Sequence, residues 1–403
     1  MDLTDMIHDC SIIVVNYNGK KYLDNFFNSL KGIIHDGFSF EVVFVDNAST
    51  DGSVEYLESK GLQNDIDLKI VSNTVNQGFA EGNDTGVENS DGKYLVFLNN
   101  DTAVEKNWLN ELYTFIKKRP DCGMAASKLL FFYDFMQIVC ATRDYISIDS
   151  KIQINSREYE LEGKYCKNIQ KKESGSVLCY GGSEISIPLI DGLTDYEFEL
   201  TVQRYNYQMD HIIILGTEYI PDHGKIKVSF SKEQIAEKKY AMIQNAGSGI
   251  NEAFEGFDIG MGEKDLGQYD SVRKLDAGCG ASIIMRRSDF QKVGGFDKRF
   301  FMYYEDTDLS YRIKATGKHI LFCPRSVVRH VHTGSSGEWS PFFTYHVYRN
   351  RLIFIYKNIS KTIFFKKCLR MYGSALKHRD KMRIRCVRDA FDIVVRGKKR
   401  FYQ

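Results

Sequence analysis

The stretch Val42-Val43-Phe44-Val45-Asp46-Asn47-Ala48-Ser49-Thr50-Asp51-Gly52 decides the fold class. Four consecutive apolar residues run directly into Asp, Asn, Ser and Gly. A short apolar run without alternation reads as a strand buried on both faces, and so as part of a parallel sheet covered by helices. A second stretch repeats the pattern: Tyr94-Leu95-Val96-Phe97-Leu98 leads into Asn99-Asn100-Asp101-Thr102. In open α/β sheets ligands collect beyond the carboxyl ends of the strands. Asp46 and Asp101 are therefore placed where a nucleotide and its metal would sit. A third Asp-centred stretch, Tyr303-Tyr304-Glu305-Asp306-Thr307-Asp308-Leu309, comes late in the chain.

Working outward, strands are predicted at Ser11–Val15, Glu41–Val45, Leu68–Val71, Tyr94–Leu98 and Gly123–Ala126. Helices are predicted between them. Leu23, Phe26, Phe27 and Leu30 have helical spacing, and Ser53–Ser59, Phe79–Glu88 and Trp108–Lys118 follow the later strands. This order predicts a mostly parallel sheet with helices on both faces. The pattern stops near Phe131. From about Tyr133 to Tyr240 short alternating segments replace it, among them Ser147–Ile154, Glu197–Val202 and Lys225–Phe230. Turn signals such as Gly181-Gly182, Asp191-Gly192 and Asp222-His223-Gly224 separate them, which predicts a β-rich, sandwich-like insert. The α/β character resumes at Leu275. The expected division is an α/β half over 1–131, an inserted β-rich domain over 132–241, a second α/β half over 242–358 and a basic helical tail over 359–403.

A chain of 403 residues is longer than one core usually spans, and its 43% hydrophobic content is ample for more than one. Net charge is +1, but 14 Lys and Arg against 3 Asp lie from Lys361 onward. There they interleave with Ile363, Phe364, Phe365, Leu369, Met371, Tyr372, Val387, Phe391, Ile393 and Val394, as in basic amphipathic helices that lie on anionic membrane surfaces. No recognised nucleic-acid motif accompanies them, so no nucleic-acid partner is expected. The nine cysteines are odd in number and never at CxxC spacing, which points to reduced thiols in a cytosolic protein. The acidic start Met1-Asp2-Leu3-Thr4-Asp5 carries no signal-peptide pattern, and no run of about 18 apolar residues is long enough to span a membrane.

The chemistry follows from residue types. Hard Mg²⁺ or Mn²⁺ prefers carboxylate oxygen and often takes one or two protein carboxylates together with phosphates; Asp101, after a buried strand, suits that role. A general base must be a carboxylate or His within reach of a hydroxyl, and Asp306 is the candidate. His330 or His332 can complete a metal shell, since imidazole is an acceptable Mn²⁺ ligand. They sit two apart, so on a strand both would face the same side.

Taken together, the motifs resemble the inverting glycosyltransferases of family 2. The resemblance runs over 11–128 and again over 244–357. It is carried by Val14-Val15-Asn16-Tyr17-Asn18-Gly19, Val45–Ser53, Asn76-Gln77-Gly78-Phe79-Ala80-Glu81-Gly82-Asn83 and Leu98–Thr102. Later come Gly280-Ala281-Ser282, Val293–Asp297, Glu305–Leu309, Val328–His332 with Ser335-Ser336, and Arg349-Asn350-Arg351. The set looks closest to rhamnosyltransferase-like members that build bacterial surface polysaccharide. The resemblance implies the GT-A nucleotide-diphospho-sugar transferase fold, an α/β fold, here with a β-rich insert and a basic helical tail. It implies that Asp46 accepts the N3–H of uracil or thymine, with Asn16 and Asn18 lining the same pocket. Asn76, Gly78, Phe79 and Asn83 would shape the diphosphate and sugar side, with Asn99 and Asn100 also on the donor side. Asp101 would bind Mn²⁺ or Mg²⁺ as the last position of the family's Asp-x-Asp motif, with His330 as a late ligand and His332 as runner-up. Asp306 would be the catalytic base, with Glu305 beside it. Asn99 departs from the pattern, being an amide where many members carry a carboxylate.

The resulting expectation is a cytosolic, membrane-peripheral enzyme at the inner face of the cell membrane. It would move a sugar from a UDP- or dTDP-sugar to a hydroxyl of a glycan or lipid-linked glycan. The alternative is a non-catalytic glycan-binding or assembly protein on a decayed transferase scaffold.

Overall fold

The computed structural model describes residues 7–62, 65–206, 208–331 and 340–397. His332, Ser335 and Ser336 lie outside the described residues, as does Tyr207. The chain divides into two compact units. One comprises Met1–Phe132, Gln244–Met261 and Gly267–Gln403; the other comprises Tyr133–Ile243 and Gly262–Leu266.

The first unit is built on one sheet. Its strands β1 (Cys10–Asn16), β2 (Phe40–Asp46), β3 (Leu68–Ser72) and β4 (Tyr94–Leu98) are those of the apolar runs, joined by β5 (Thr102–Val104) and β6 (Cys122–Phe131). Two later strands, Ser282–Arg286 and His319–His330, complete the order β3-β2-β1-β4-(Ser282–Arg286)-β6-(His319–His330)-β5. β1 pairs in parallel with both β2 and β4, in a register that sets Asn16 against Asp46. Val42, Val43, Phe44 and Val45 are all fully buried, as a strand covered on both faces requires. The sheet is not parallel throughout. Ser282–Arg286 runs antiparallel to β4 and β6, and β5 runs antiparallel to His319–His330. Those two reversals bring a loop and a strand end from the later sequence to the carboxyl edge of the early strands.

The second unit is a ten-stranded sheet among the described residues. The segment Ser147–Ile154 turns at Ser150, giving separate strands Tyr145–Asp149 and Lys151–Ile154. The long strand Ser176–Pro188 pairs with Tyr145–Asp149 through its first half and with Phe135–Ala141 through its second. Its core gathers Ile146, Ile148, Val177, Cys179, Ile185, Tyr196 and Phe198. Tyr196 is fully buried and stacks on Phe198 at 5.6 Å, so it serves packing.

The tail forms two helices, Lys361–Lys377 and Lys381–Arg396, capped by the side chains of Ser360 and Asp380. They are an integral part of the first unit. Phe364, Val387 and Ile393 are buried with Phe300, Tyr304 and Phe354 in one cluster. Each such large side chain stabilises by roughly 1.5–3 kcal/mol when buried, while a whole domain is stable by only about 5–15 kcal/mol. Removing the tail would therefore endanger the fold. All nine cysteines are free thiols.

Candidate active site

Three groups of side chains meet beyond the carboxyl ends of β1, β2 and β4. The first is centred on Asn16. Its Nδ2 donates to Asp46 Oδ1 and to Ser49 Oγ, both at 3.0 Å, and its Oδ1 accepts from Asn100 Nδ2 at 2.6 Å. Asp46 Oδ2 accepts from the Ser49 amide at 2.9 Å, which closes the turn after β2. Asn18 sits in the left-handed region at φ 52°, where Asn is tolerated. Its Oδ1 accepts from Thr50 N at 2.8 Å. Gly19 is needed here because a Cβ would lie 2.1 Å from Asn100 Nδ2. Asn16, Asn18, Asp46 and Asn100 thus form one hydrogen-bonded floor.

The second group organises the segment before the Gly78–Glu88 helix. Asn47, to which sequence reasoning gives no role of its own, is buried at its centre. Its Nδ2 donates to Asn76 Oδ1 and Gly78 O, and its Oδ1 accepts from Asn73 Nδ2 and Gln77 N. Gly78 has φ 79°, and a Cβ there would stand 2.5 Å from the Phe301 ring. The amides of Phe79 and Ala80 both donate to Phe301 O, at 2.7 and 3.2 Å. This ties the early segment to the loop that precedes Asp306. Asn83 is buried and donates to Phe79 O within its own helix.

The third group could hold a cation. His330 Nε2 lies 3.1 Å from Asp101 Oδ1 and 3.3 Å from Asn99 Nδ2, while its Nδ1 faces Gln244 Oε1 at 2.7 Å. With the Nδ1 proton given to Gln244, Nε2 presents a lone pair beside a carboxylate. A positive ion satisfies both atoms, and ligands at about 2.1 Å and right angles around a metal stand about 3 Å apart. Asn99 Oδ1 is buried and has no hydrogen-bond partner among the described residues. A carboxylate, an amide oxygen and an imidazole suit Mn²⁺ or Mg²⁺, so these residues fit the expected ion. A different cluster, His8, Glu41 and Asp91, also brings three ligand atoms together, but His8 there is already paired with Asp91 and Asp67.

Asp306 lies in the first turn of the Glu305–Lys314 helix. Its Oδ2 accepts from Gly280 N at 2.9 Å, and its Oδ1 accepts from Thr307 N at 2.6 Å. Ala281, next in sequence to Gly280, accepts from Asn99 N at 3.1 Å, so one segment holds both the Asp306 carboxylate and the metal-side loop. Burial raises the Asp306 pKa, against the opposing pull of the Gly280 and Thr307 amides. Glu305 is buried, its Oε2 has no partner among the described residues, and burial with the Asp306 charge drives its carboxyl well upward. Asp308 differs: fully buried, it is held by Arg312, Lys357 and Asn358, a structural anchor.

Two further features arise from tertiary placement. Asp258 accepts from Asn245 Nδ2, and its pKa is raised by burial and then by the charge of Asp306. Asn350 Nδ2 donates to Phe300 O, Met302 O and Tyr303 O, at 2.7 to 2.9 Å, and Arg349 Nη2 donates to Phe300 O at 2.7 Å. Phe301, Tyr303 and Tyr304 all have positive φ, at 66°, 69° and 70°. Such strain persists only where surroundings over-determine it, and these two buried side chains do so just ahead of Asp306.

Residues 11–184 match the family model described as Glycosyl transferase family 2. Over that stretch the chain is similar to glycosyl transferase family 2. An uncharacterized glycosyltransferase of Haemophilus influenzae is 29% identical over 109 residues, 27% of this chain and 32% of the relative. An N-acetylglucosaminyl-diphospho-decaprenol L-rhamnosyltransferase of Mycobacterium tuberculosis is 43% identical over 59 residues, 15% of this chain and 19% of the relative. The matches thus span a third or less of those relatives' length. A crystal structure of GalNAc-T7 with UDP, GalNAc and Mn²⁺ aligns with a TM-score of 0.50 at 14% identity, over 87% of this chain and 48% of that one. The first unit has a GT-A-like mixed α/β sheet followed by a helical C-terminal region.

Proposed function

We propose that this chain is an inverting, metal-dependent glycosyltransferase that moves a sugar from a UDP- or dTDP-sugar to a hydroxyl of a glycan, lipid-linked during the synthesis of bacterial surface polysaccharide. The observation that carries the reading is the junction at Gly280-Ala281. It ties the part-buried Asp306 carboxylate to the loop where Asn99, Asp101 and His330 converge. In this reading Asp46, with Asn16 and Asn18 around it, receives the base of the nucleotide. Asn76, Gly78 and Phe79 shape the diphosphate and sugar side. Asn99, Asp101 and His330 would hold Mn²⁺ or Mg²⁺. A bound divalent cation supplies charge neutralisation for the departing diphosphate. Asp306 takes the proton of the acceptor hydroxyl as the acceptor oxygen attacks C1 from the face opposite the diphosphate and the bond from C1 to the diphosphate oxygen breaks, which inverts the anomeric configuration. Among the described residues no helix is long and apolar enough to cross a membrane, so residence at the inner membrane face is proposed to be peripheral.

Gln244 gives the reading a test of its own. It orients the His330 ring through Nδ1, and loss of such a partner typically costs roughly 10- to 100-fold in metal affinity. Calorimetric titration of UDP and dTDP, each with and without Mn²⁺, should show nucleotide binding strengthened by the ion. Gln244→Leu should shift the Mn²⁺ requirement upward by about that factor, with metal-free nucleotide binding unchanged. Nucleotide binding indifferent to Mn²⁺ in both proteins would rule out the metal assignment.

A further inference from the structure

The Lys361–Lys377 helix presents one face to the core and another to solvent. Phe364, Cys368 and Ala375 are buried and fix its rotation. Phe364 had been expected at a membrane interface from its place among the basic residues; it is instead fully buried, and its ring packs on Tyr356 at 5.1 Å. The exposed side is apolar too. Phe365 is 47% exposed, Leu369 77%, Tyr372 40% and Leu376 54%. Spacings of four, three and four residues align these side chains along one stripe. Since Phe364, Cys368 and Ala375 are anchored, the stripe cannot turn inward.

Charge decides what covers this stripe. Lys361, Lys366, Arg370 and Lys377 are all exposed, and none forms an ion pair among the described residues. The helix contains no Asp or Glu. At about 100° per residue, Lys366, Arg370 and Lys377 line one flank of the stripe, where long basic side chains can lie along an apolar surface and place their heads at its polar boundary. A second copy of this helix would bring like charges together. A nucleic-acid backbone would leave Leu369 and Leu376 in water. A layer with apolar depth and anionic headgroups satisfies both sets of side chains.

We propose that the face formed by Phe365, Leu369, Tyr372 and Leu376, flanked by Lys366 and Arg370, is the surface by which this protein lies on an anionic lipid bilayer. The proposal rests on the peripheral placement put forward above and gives it a defined contact. It is independent of the sugar chemistry.

The test is flotation of the full chain with vesicles of phosphatidylcholine alone and with about a third phosphatidylglycerol, at low and high salt. The protein should float with the anionic vesicles and be released by salt. The double variant Leu369→Glu/Leu376→Glu should lower partitioning by roughly tenfold or more, as should Lys366→Glu/Arg370→Glu. These positions are exposed, so thermal unfolding and nucleotide-sugar hydrolysis without vesicles should stay as in the wild type. Loss of hydrolysis in the wild type would refute the transferase reading and leave the membrane result standing. Equal flotation with neutral vesicles, flotation unaffected by both double variants, or no flotation would overturn the proposal. So would a dimer in light scattering that Leu369→Glu/Leu376→Glu converts to a monomer.

Discussion

Asp306→Asn is expected to lower sugar transfer by about 100- to 10,000-fold, the usual range for loss of a general base, while donor binding stays within a few-fold. The substitution keeps the size and shape of the side chain, and its single amide oxygen can accept from Gly280 N or from Thr307 N, one of the two bonds the carboxylate makes. What is lost is basicity. Burial raises the Asp306 pKa, and the ionised form is the one that accepts a proton. Activity should therefore fall as pH drops through this raised value, giving an acidic limb above the ordinary aspartate range near ~3.9. The residual activity of Asp306→Asn should lack that limb. Glu305 does not substitute, because its own carboxyl is driven well upward by burial and by Asp306. The checks are the pH dependence of kcat in both proteins and calorimetry of donor binding. Normal transfer by Asp306→Asn with intact donor binding would remove Asp306 from the role.

Asp101→Ala should reduce turnover by at least about 100- to 1,000-fold, the scale on which one preorganised electrostatic partner of a developing charge acts. Asp101 is the only carboxylate among the three residues proposed to hold the ion, because Asn99 carries no charge. Removing it leaves the Asn99 amide and the His330 imidazole, a neutral pair with little hold on a hard cation. The fold should survive, since β4 and β5 around the residue are fixed by strand pairing and by the Thr102 Oγ1 to Asn99 O bond at 2.7 Å. Thermal unfolding, a Mn²⁺ titration of kcat and activity in excess chelator are the measurements. Full wild-type activity in excess chelator would contradict the metal assignment.

Much of this arrangement was legible because it depends on local pattern. Uninterrupted apolar runs ending in turn residues located β1, β2 and β4, and with them Asn16, Asp46, Asn99, Asn100 and Asp101 at the strand ends. The break in helical periodicity near Phe131 marked where the ten-stranded sheet begins. Other features arise only from tertiary placement. Asn47, Gln244, Asp258 and Asn350 act through hydrogen bonds to residues 13 to 86 positions away, and no spacing rule announces such a partner. The antiparallel strand Ser282–Arg286 is inserted between β4 and β6 after an intervening β-rich segment, which local periodicity cannot foresee. The tail shows the same limit. Its amphipathic character was readable, but the sides facing the core and solvent were fixed by contacts of Phe364 with Tyr356 and of Val387 with its cluster. His332 lies outside the described residues, so His330 alone represents that motif in the observed geometry.

The central claim is that one site, from Asp46 through Asp101 to Asp306, breaks the bond between a sugar and a nucleoside diphosphate. The most direct measurement is release of nucleoside diphosphate from a panel of UDP-, dTDP- and GDP-sugars, with Mn²⁺ and with chelator. Release from a UDP- or dTDP-sugar is expected, abolished by chelator and reduced to near background by Asp101→Ala. Neither release nor binding of any UDP- or dTDP-sugar by the folded, metal-supplied protein would contradict it and leave the non-catalytic scaffold in its place.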